Sequence, residues 1–313
     1  MATDILNIKS DIEPIQPEYY VYSLADINPH ERDKLVVYEP GTHKYTCAGI
    51  NKFISVTGWV HSHFPLFDAD AIITKMMNKK NWSQSKYFGL TAEEIKATWD
   101  TSKNDASFMG TSMHSSIEKY YNRNTGEHKY HKGIDEYTDS DYLCADGYTS
   151  PPKHFIKFVH DNPNLNPFRT EWIVFNEDIG IAGTIDMVYE QPDGTLMIYD
   201  WKRCKDIKKT NFFGGCAKTR CIEHIPDTNY WHYALQLNMY KHLIESKYSK
   251  TVAKMMLVCL HPINKSYELI SVPTLKSEMQ ELIELLHNSS NNSNNNSNNN
   301  SNNNIKSHLK RTI

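Results

Sequence analysis

No stretch of this 313-residue chain approaches the ~20 consecutive apolar residues that a membrane-spanning helix needs, so no bilayer is implied. A dominant charge is lacking too. With 34 Lys and Arg against 37 Asp and Glu the formal net charge is -3, and attraction to a polyanion has to come from a local patch. Cysteine is sparse. Six thiols spread from Cys47 to Cys259 argue for reduced, mostly structural cysteines rather than a disulfide framework. The first residues, MATDILNIKSDIEPIQPEYY, carry early acids and no apolar signal core, so the expected setting is intracellular and not secreted. What is present, 39% hydrophobic residues with 12% aromatics and 23% charged, is a globular composition able to bury a substantial core.

Residues 1–35, with Pro14, Pro17 and Pro29 and little periodicity, read as an N-terminal extension, and one folded domain is expected over 36–287. Within it the polar, Gly-, Asp-, Ser- and Tyr-rich stretch 125–152 reads as a surface insertion. Residues 288–313 read as a tail, nearly pure Asn and Ser to Asn304 and therefore unable to bury apolar area against its ordering entropy. Its Asn richness hints at an AT-rich genome, that of a large DNA virus or a protist; for a viral protein the compartment would be the host cytoplasm.

The expected elements begin with two strand-like runs, LVVYEP and FISVTGWV. Helices follow at Asp68–Lys80 and at Thr91–Trp99, where Thr91-Ala-Glu-Glu supplies a capping box. Over Ala106–Asn122, Met113, Ile117 and Tyr120 or Tyr121 fall on one helical stripe, with His114 and Glu118 on a neighbouring face. A short helix is expected at Lys153–Asp161, then strands at Arg169–Asn176, Gly183–Glu190 and Thr195–Lys202. Gln191-Pro-Asp-Gly194 marks a tight turn, because proline presets one dihedral and glycine accepts positive φ, so the last two strands should form an antiparallel hairpin. A helix at Trp231–Ser246, strands at Met255–Leu260 and Glu268–Val272, and a helix at Leu275–His287 complete an α/β fold, a mixed central sheet flanked by helices.

Pairing about that turn places residues whose numbers sum to about 385 opposite each other. Asp186 and Asp200 become near neighbours, and Lys202, two residues beyond Asp200, shares its face. Both acids interrupt apolar β segments, where an unpaired buried carboxylate costs several kcal/mol. Two carboxylates and an ammonium converging at a hairpin end suit a hard divalent cation used in phosphodiester cleavage. Glu171 on the preceding strand is a candidate further ligand. A local basic patch exists as well: Lys202, Arg203, Lys205, Lys208, Lys209, Lys218 and Arg220 stand against the single acid Asp206. Cys204, Cys216, Cys221 and His224 follow closely, but they lack the C-x-x-C spacing of zinc sites, and a substrate-contacting basic loop is the preferred reading.

The series GTSMHSSIEKYY, GTIDMVY, YDWK and QLNMY resembles the ordered motifs of the PD-(D/E)XK nuclease superfamily. Within it, the resemblance is to the branch of RecB-like domains, phage lambda-like exonucleases and the mitochondrial genome maintenance exonuclease. The resemblance implies a restriction-endonuclease-like core and an Mg2+- or Mn2+-dependent exonuclease acting on DNA in repair, recombination or replication. His114, Asp186, Asp200 and the backbone carbonyl of Trp201 would hold metal, Lys202 would orient or deprotonate the attacking water, and Gln236 and Tyr240 would help hold the DNA strand. Ile185 stands where the family's name has proline, and Asp200 stands where some members have Glu. Loss of a core acid or of the lysine would have favoured a catalytically inactive nucleic-acid-binding module; none is lost.

Overall fold

In a computed structural model, residues 23–39, 44–49, 53–123, 151–211 and 214–288 are described. The insertion expected at 125–152 and the tail beyond 288 lie almost wholly outside the described residues.

The chain opens with a short helix α1 (Leu24–Ile27), the hairpin strands β1 (Val36–Glu39) and β2 (Lys44–Cys47), and the two-residue strand β3 (Ile54–Ser55). Helices α2 (Val56–Ser62), α3 (Ala69–Met77), α4 (Ala92–Arg123) and α5 (Lys153–Asp161) follow. Next come β4 (Asn166–Asn176), β5 (Ile181–Glu190), β6 (Leu196–Lys202), α6 (Asn229–Lys247), β7 (Val252–Cys259), β8 (Glu268–Ser271) and α7 over 276–288.

β4, β5 and β6 form an antiparallel meander, β7 joins β6 in parallel, and β8 pairs with β7 antiparallel. β3 runs parallel to the start of β5. The sheet is thus mixed, as the element order implies. One apolar layer lies between the sheet and α2, α6 and α7, centred on Trp59, Leu235 and Leu282; the other lies under α4 and α5, centred on Met113, Ile117, Phe155 and Trp201. The turn at Gln191-Pro-Asp-Gly194 closes with the Gly194 N–H on the Gln191 carbonyl, and Gly194 takes φ 81°.

Two elements depart from the expected pattern. FISVTGWV yields only two strand residues, because Ser55 accepts the Gly58 N–H as an N-cap and Val56, Trp59 and Val60 then share one buried helical face. Thr91–Trp99 and Ala106–Asn122 are one continuous 32-residue helix, not two. The capping box forms, with Thr91 and Glu94 exchanging hydrogen bonds. The polar run after it then keeps helical geometry, since the hydroxyls of Thr98, Thr101 and Ser102 bond the carbonyls four residues back instead of breaking the ladder. Residues 101–108 of this helix are exposed throughout.

The stretch 23–35 docks on β4: Asp33 accepts from Arg169 at 2.7 Å and from the Trp172 indole at 3.0 Å, and the Asn28 amide donates to the Phe168 carbonyl. On β5, Gly183 is where α2 and α6 come closest to the sheet. A Cβ there would lie 2.8 Å from Tyr240 Cε1 and 2.8 Å from Val56 Cγ2. Gly183→Ala is therefore expected to cost about 1–3 kcal/mol by overpacking, read as a lowered midpoint in urea unfolding with an unchanged slope.

Candidate active site

The β5–β6 ladder runs from Glu190↔Leu196 to Met187↔Tyr199 and stops there. Beyond it β6 continues along β7 as far as Lys202↔Cys259, while β5 continues along β4, so the two strands open a fork. Asp186 sits at its root and substitutes a side chain for the missing ladder partner: its Oδ2 accepts the Trp201 N–H at 2.9 Å.

Opposite Asp186 on β4 is Glu171, with φ 44°, a left-handed conformation that costs a non-glycine residue of order 1–3 kcal/mol. The recorded pairing steps from Thr170↔Met187 to Trp172↔Ile185, leaving Glu171 and Asp186 out of the ladder. Side-chain alternation reverses at this point. Ile185 and Met187, two apart on one strand, lie in opposite cores where a regular strand would put them on one face. The irregularity brings both carboxylates to the ring of His114 on α4, whose Nδ1 is 3.6 Å from Glu171 Oε1 and 3.6 Å from Asp186 Oδ2. The other ring nitrogen, Nε2, donates to the Trp201 carbonyl at 3.0 Å, which leaves Nδ1 facing the acids.

Asp200 and Lys202 point to one face, as their spacing implies, and form an ion pair at 2.7 Å. Asp200 is 2% exposed, and its Oδ1 is buried with no hydrogen-bond partner. The Lys202 ammonium lies 4.5 Å over the ring of Tyr233 on α6. Burial raises the Asp186 carboxyl above the usual range against the pull of His114, and raises Asp200 to about 6 against the pull of Lys202. Burial alone would lower the imidazole, but Asp186 and Glu171 hold His114 at about 9. Lys202 is raised too, Asp200 and Asp186 outweighing burial.

Three carboxylates face one ammonium and, below pH 9, one imidazolium, so the acids outnumber the cations in the fork. Ligand atoms of His114, Glu171 and Asp186 lie within 4.8 Å of one another, the one such group among the described residues. Together with the orphaned Oδ1 of Asp200, this oxygen-rich set with a single imidazole fits a hard divalent cation. Cys204, Cys216, Cys221 and His224 form no such group, and His224 pairs with Glu278 at 3.4 Å.

Around the fork, Lys205, Lys208 and Lys209 are exposed and Arg203 is half-buried. This basic segment is fastened to the first turn of α6: Asn229 bonds the backbone at Asp206 and Lys208, and the Trp231 indole donates to the Lys209 carbonyl at 3.0 Å. Gln236, half-buried, donates to the Tyr240 hydroxyl at 3.2 Å, and Tyr240 itself is buried against Gly183. Sequence reasoning missed Tyr233; its one signal is its place three residues before Gln236 on the same helix.

A strained, acid-lined fork in a mixed sheet, with a half-buried lysine beside it, defines a class of metal-assisted phosphodiesterase cores. The family model of the PD-(D/E)XK nuclease superfamily matches residues 83–303, and the chain belongs to that superfamily, whose members act on nucleic acid and generally use divalent metals. Among solved structures the chain is similar to a protein named SSO0001, with 14% identity, 75% of each chain covered and a TM-score of 0.29. It is also similar to an inferred exonuclease from Eubacterium rectale, with 11% identity, 75% of this chain and 77% of that chain covered, and a TM-score of 0.33. Comparison with curated proteins gave no match.

Proposed function

We propose that this chain is a magnesium- or manganese-dependent deoxyribonuclease, an exonuclease of the RecB-like and lambda-exonuclease-like branch, serving DNA repair, recombination or replication. The observation that carries the reading is the convergence of His114, Glu171 and Asp186 beside the Asp200–Lys202 pair in one strand fork. His114 Nδ1, Glu171, Asp186 and Asp200 would hold the cation. The Trp201 carbonyl, expected from the resemblance to be a metal ligand, accepts the His114 Nε2–H at 3.0 Å and in this reading supports the imidazole from outside the metal's own ligands. A divalent ion bound there supplies charge neutralisation at the phosphate and acidifies the attacking water.

Lys202 stays protonated beside Asp200 and Asp186, so its part is to orient the water and to stabilise charge developing on the phosphoryl oxygens, not to remove a proton. Tyr233 offers the face of its ring to the ammonium at 4.5 Å. The exposed lysines 205, 208 and 209, with Arg203, supply the local positive surface that the net charge of -3 lacks, and that surface suits a nucleic-acid backbone. Gln236, hydrogen-bonded to Tyr240, would help hold the DNA strand.

The test compares the full chain with Lys202→Ala on end-labelled linear and closed circular DNA, with Mg2+, Mn2+ or EDTA. The parent is expected to degrade linear DNA only with metal and to spare the circle, and the variant to be slower by about 10²–10³-fold. Cutting of the circle would replace exonuclease with endonuclease action. Binding without cleavage by either protein would make the chain a nucleic-acid-binding module of the same fold.

A further inference from the structure

All five described cysteines are free thiols, yet two of them touch. Cys259 ends β7 opposite Lys202, and Cys204 lies two residues past that lysine, where the chain leaves the sheet. Their sulfurs are 3.8 Å apart, and the Cys259 thiol donates to the Cys204 carbonyl at 2.6 Å. The Asn264 amide bridges the two sides, reaching Cys259 Sγ at 3.8 Å and the Lys205 carbonyl at 3.1 Å. Cys259 is fully buried, whereas Cys204 reaches solvent in part.

We propose that Cys204 and Cys259 form a modification site for peroxides, a dithiol that closes to an intramolecular disulfide. The sulfurs need to approach by about 1.8 Å to reach bonding distance, a movement within reach of side-chain rotation at the end of a strand. Cys204, the accessible sulfur, attacks one peroxide oxygen; the O–O bond breaks, and a sulfenic acid and one water result. Cys259 then attacks the Cys204 sulfur, the S–S bond forms, and the hydroxyl leaves with the Cys259 proton as a second water. Two thiols lose two electrons and two protons, and the peroxide takes up both. The Cys259 thiol, hydrogen-bonded to the Cys204 backbone, already sits beside the sulfur it would attack. The bridge fastens the root of the basic segment, immediately after Lys202, to the end of β7.

This inference does not depend on the nuclease reading, and its test reads covalent structure. The full chain, reduced and freed of reductant, is treated with a few equivalents of hydrogen peroxide, unfolded, alkylated, digested and weighed by mass spectrometry. The expected product is a peptide pair joined through Cys204 and Cys259, lighter by two hydrogens than the sum of its parts and separated by dithiothreitol. The oxidised protein should melt on the order of 5 °C higher than the reduced one. Cys204→Ser should abolish both changes; it alters the more exposed partner, so it tests the proposal even if a variant of buried Cys259 fails to fold. Full alkylation of both residues after peroxide, a Cys204 that stops at sulfinic acid, or bridges to Cys216, Cys221 or a second chain would overturn the proposal.

Discussion

Asp186→Asn is expected to reduce metal-dependent cleavage by at least ~10³-fold, about 4 kcal/mol of barrier, while leaving the metal-free protein as stable as the parent or more so above pH 9, where His114 is neutral and no ion pair is lost. The two effects have one origin. Asparagine keeps an oxygen for the Trp201 N–H, so the fork retains the bond that closes it. What it removes is a buried negative charge that faces Glu171 and is already pushed toward protonation by burial. An acid whose job was structural would behave in the opposite way, since breaking a buried ion pair typically costs about 3–5 kcal/mol. Cleavage rates in Mg2+ or Mn2+ and melting curves in EDTA distinguish the cases. A variant that melts several degrees lower above pH 9, or that keeps activity within tenfold, would sink the assignment of Asp186 to the metal.

The second large effect is on stability against pH. Asp200 titrates near 6 in the fold against an ordinary value of 3.8, so the folded state holds its proton longer; the stability it contributes is greatest in acid and is lost as pH rises from about 4 to 6, by up to roughly 3 kcal/mol. His114, raised from 6.5 to about 9, contributes stability that is complete below 6.5 and lost as pH rises through 9. Its ring is 29% exposed, so this second contribution is the smaller. In EDTA the melting temperature should therefore decline between pH 6.5 and 9, and His114→Gln should flatten that decline. A divalent ion at a hundred times its dissociation constant at pH 8 should add about 2.7 kcal/mol, because it binds the folded state and not the unfolded chain. A parent with no slope in that window and no shift on adding Mn2+ would show that the fork does not hold a cation.

Much of this arrangement is legible in the chain because it is local. Pro192 to Gly194 fix the hairpin, the hairpin fixes which residues face each other, and a period of two puts Lys202 beside Asp200. The observed pairs sum to 386, one off the expected 385. What sequence could not give depends on contacts between distant segments. Glu171 has no signature of its left-handed backbone, since nothing in RTEWI distinguishes it from a regular strand acid; the conformation is imposed by α4 and β5. Cys204 and Cys259 are 55 residues apart and meet only because β6 and β7 pair in parallel. The run SVTGWV offers alternation and helical periodicity at once, and a serine cap three residues before Gly58 decides for helix.

The length of α4 has a mechanical consequence. At 1.5 Å per residue its 32 residues make a rod about 48 Å long, clamped at one end where Met113, Ile117 and Tyr121 lie against the sheet and at the other where it meets α3. Between the clamps, residues 101–108 are exposed throughout. With His114 seated in the fork, a single inserted residue in that span would turn the first turns of α4 by about 100° and shift them 1.5 Å along the axis. The residue count of the span thus sets the angle at which the first turns of α4 meet α3.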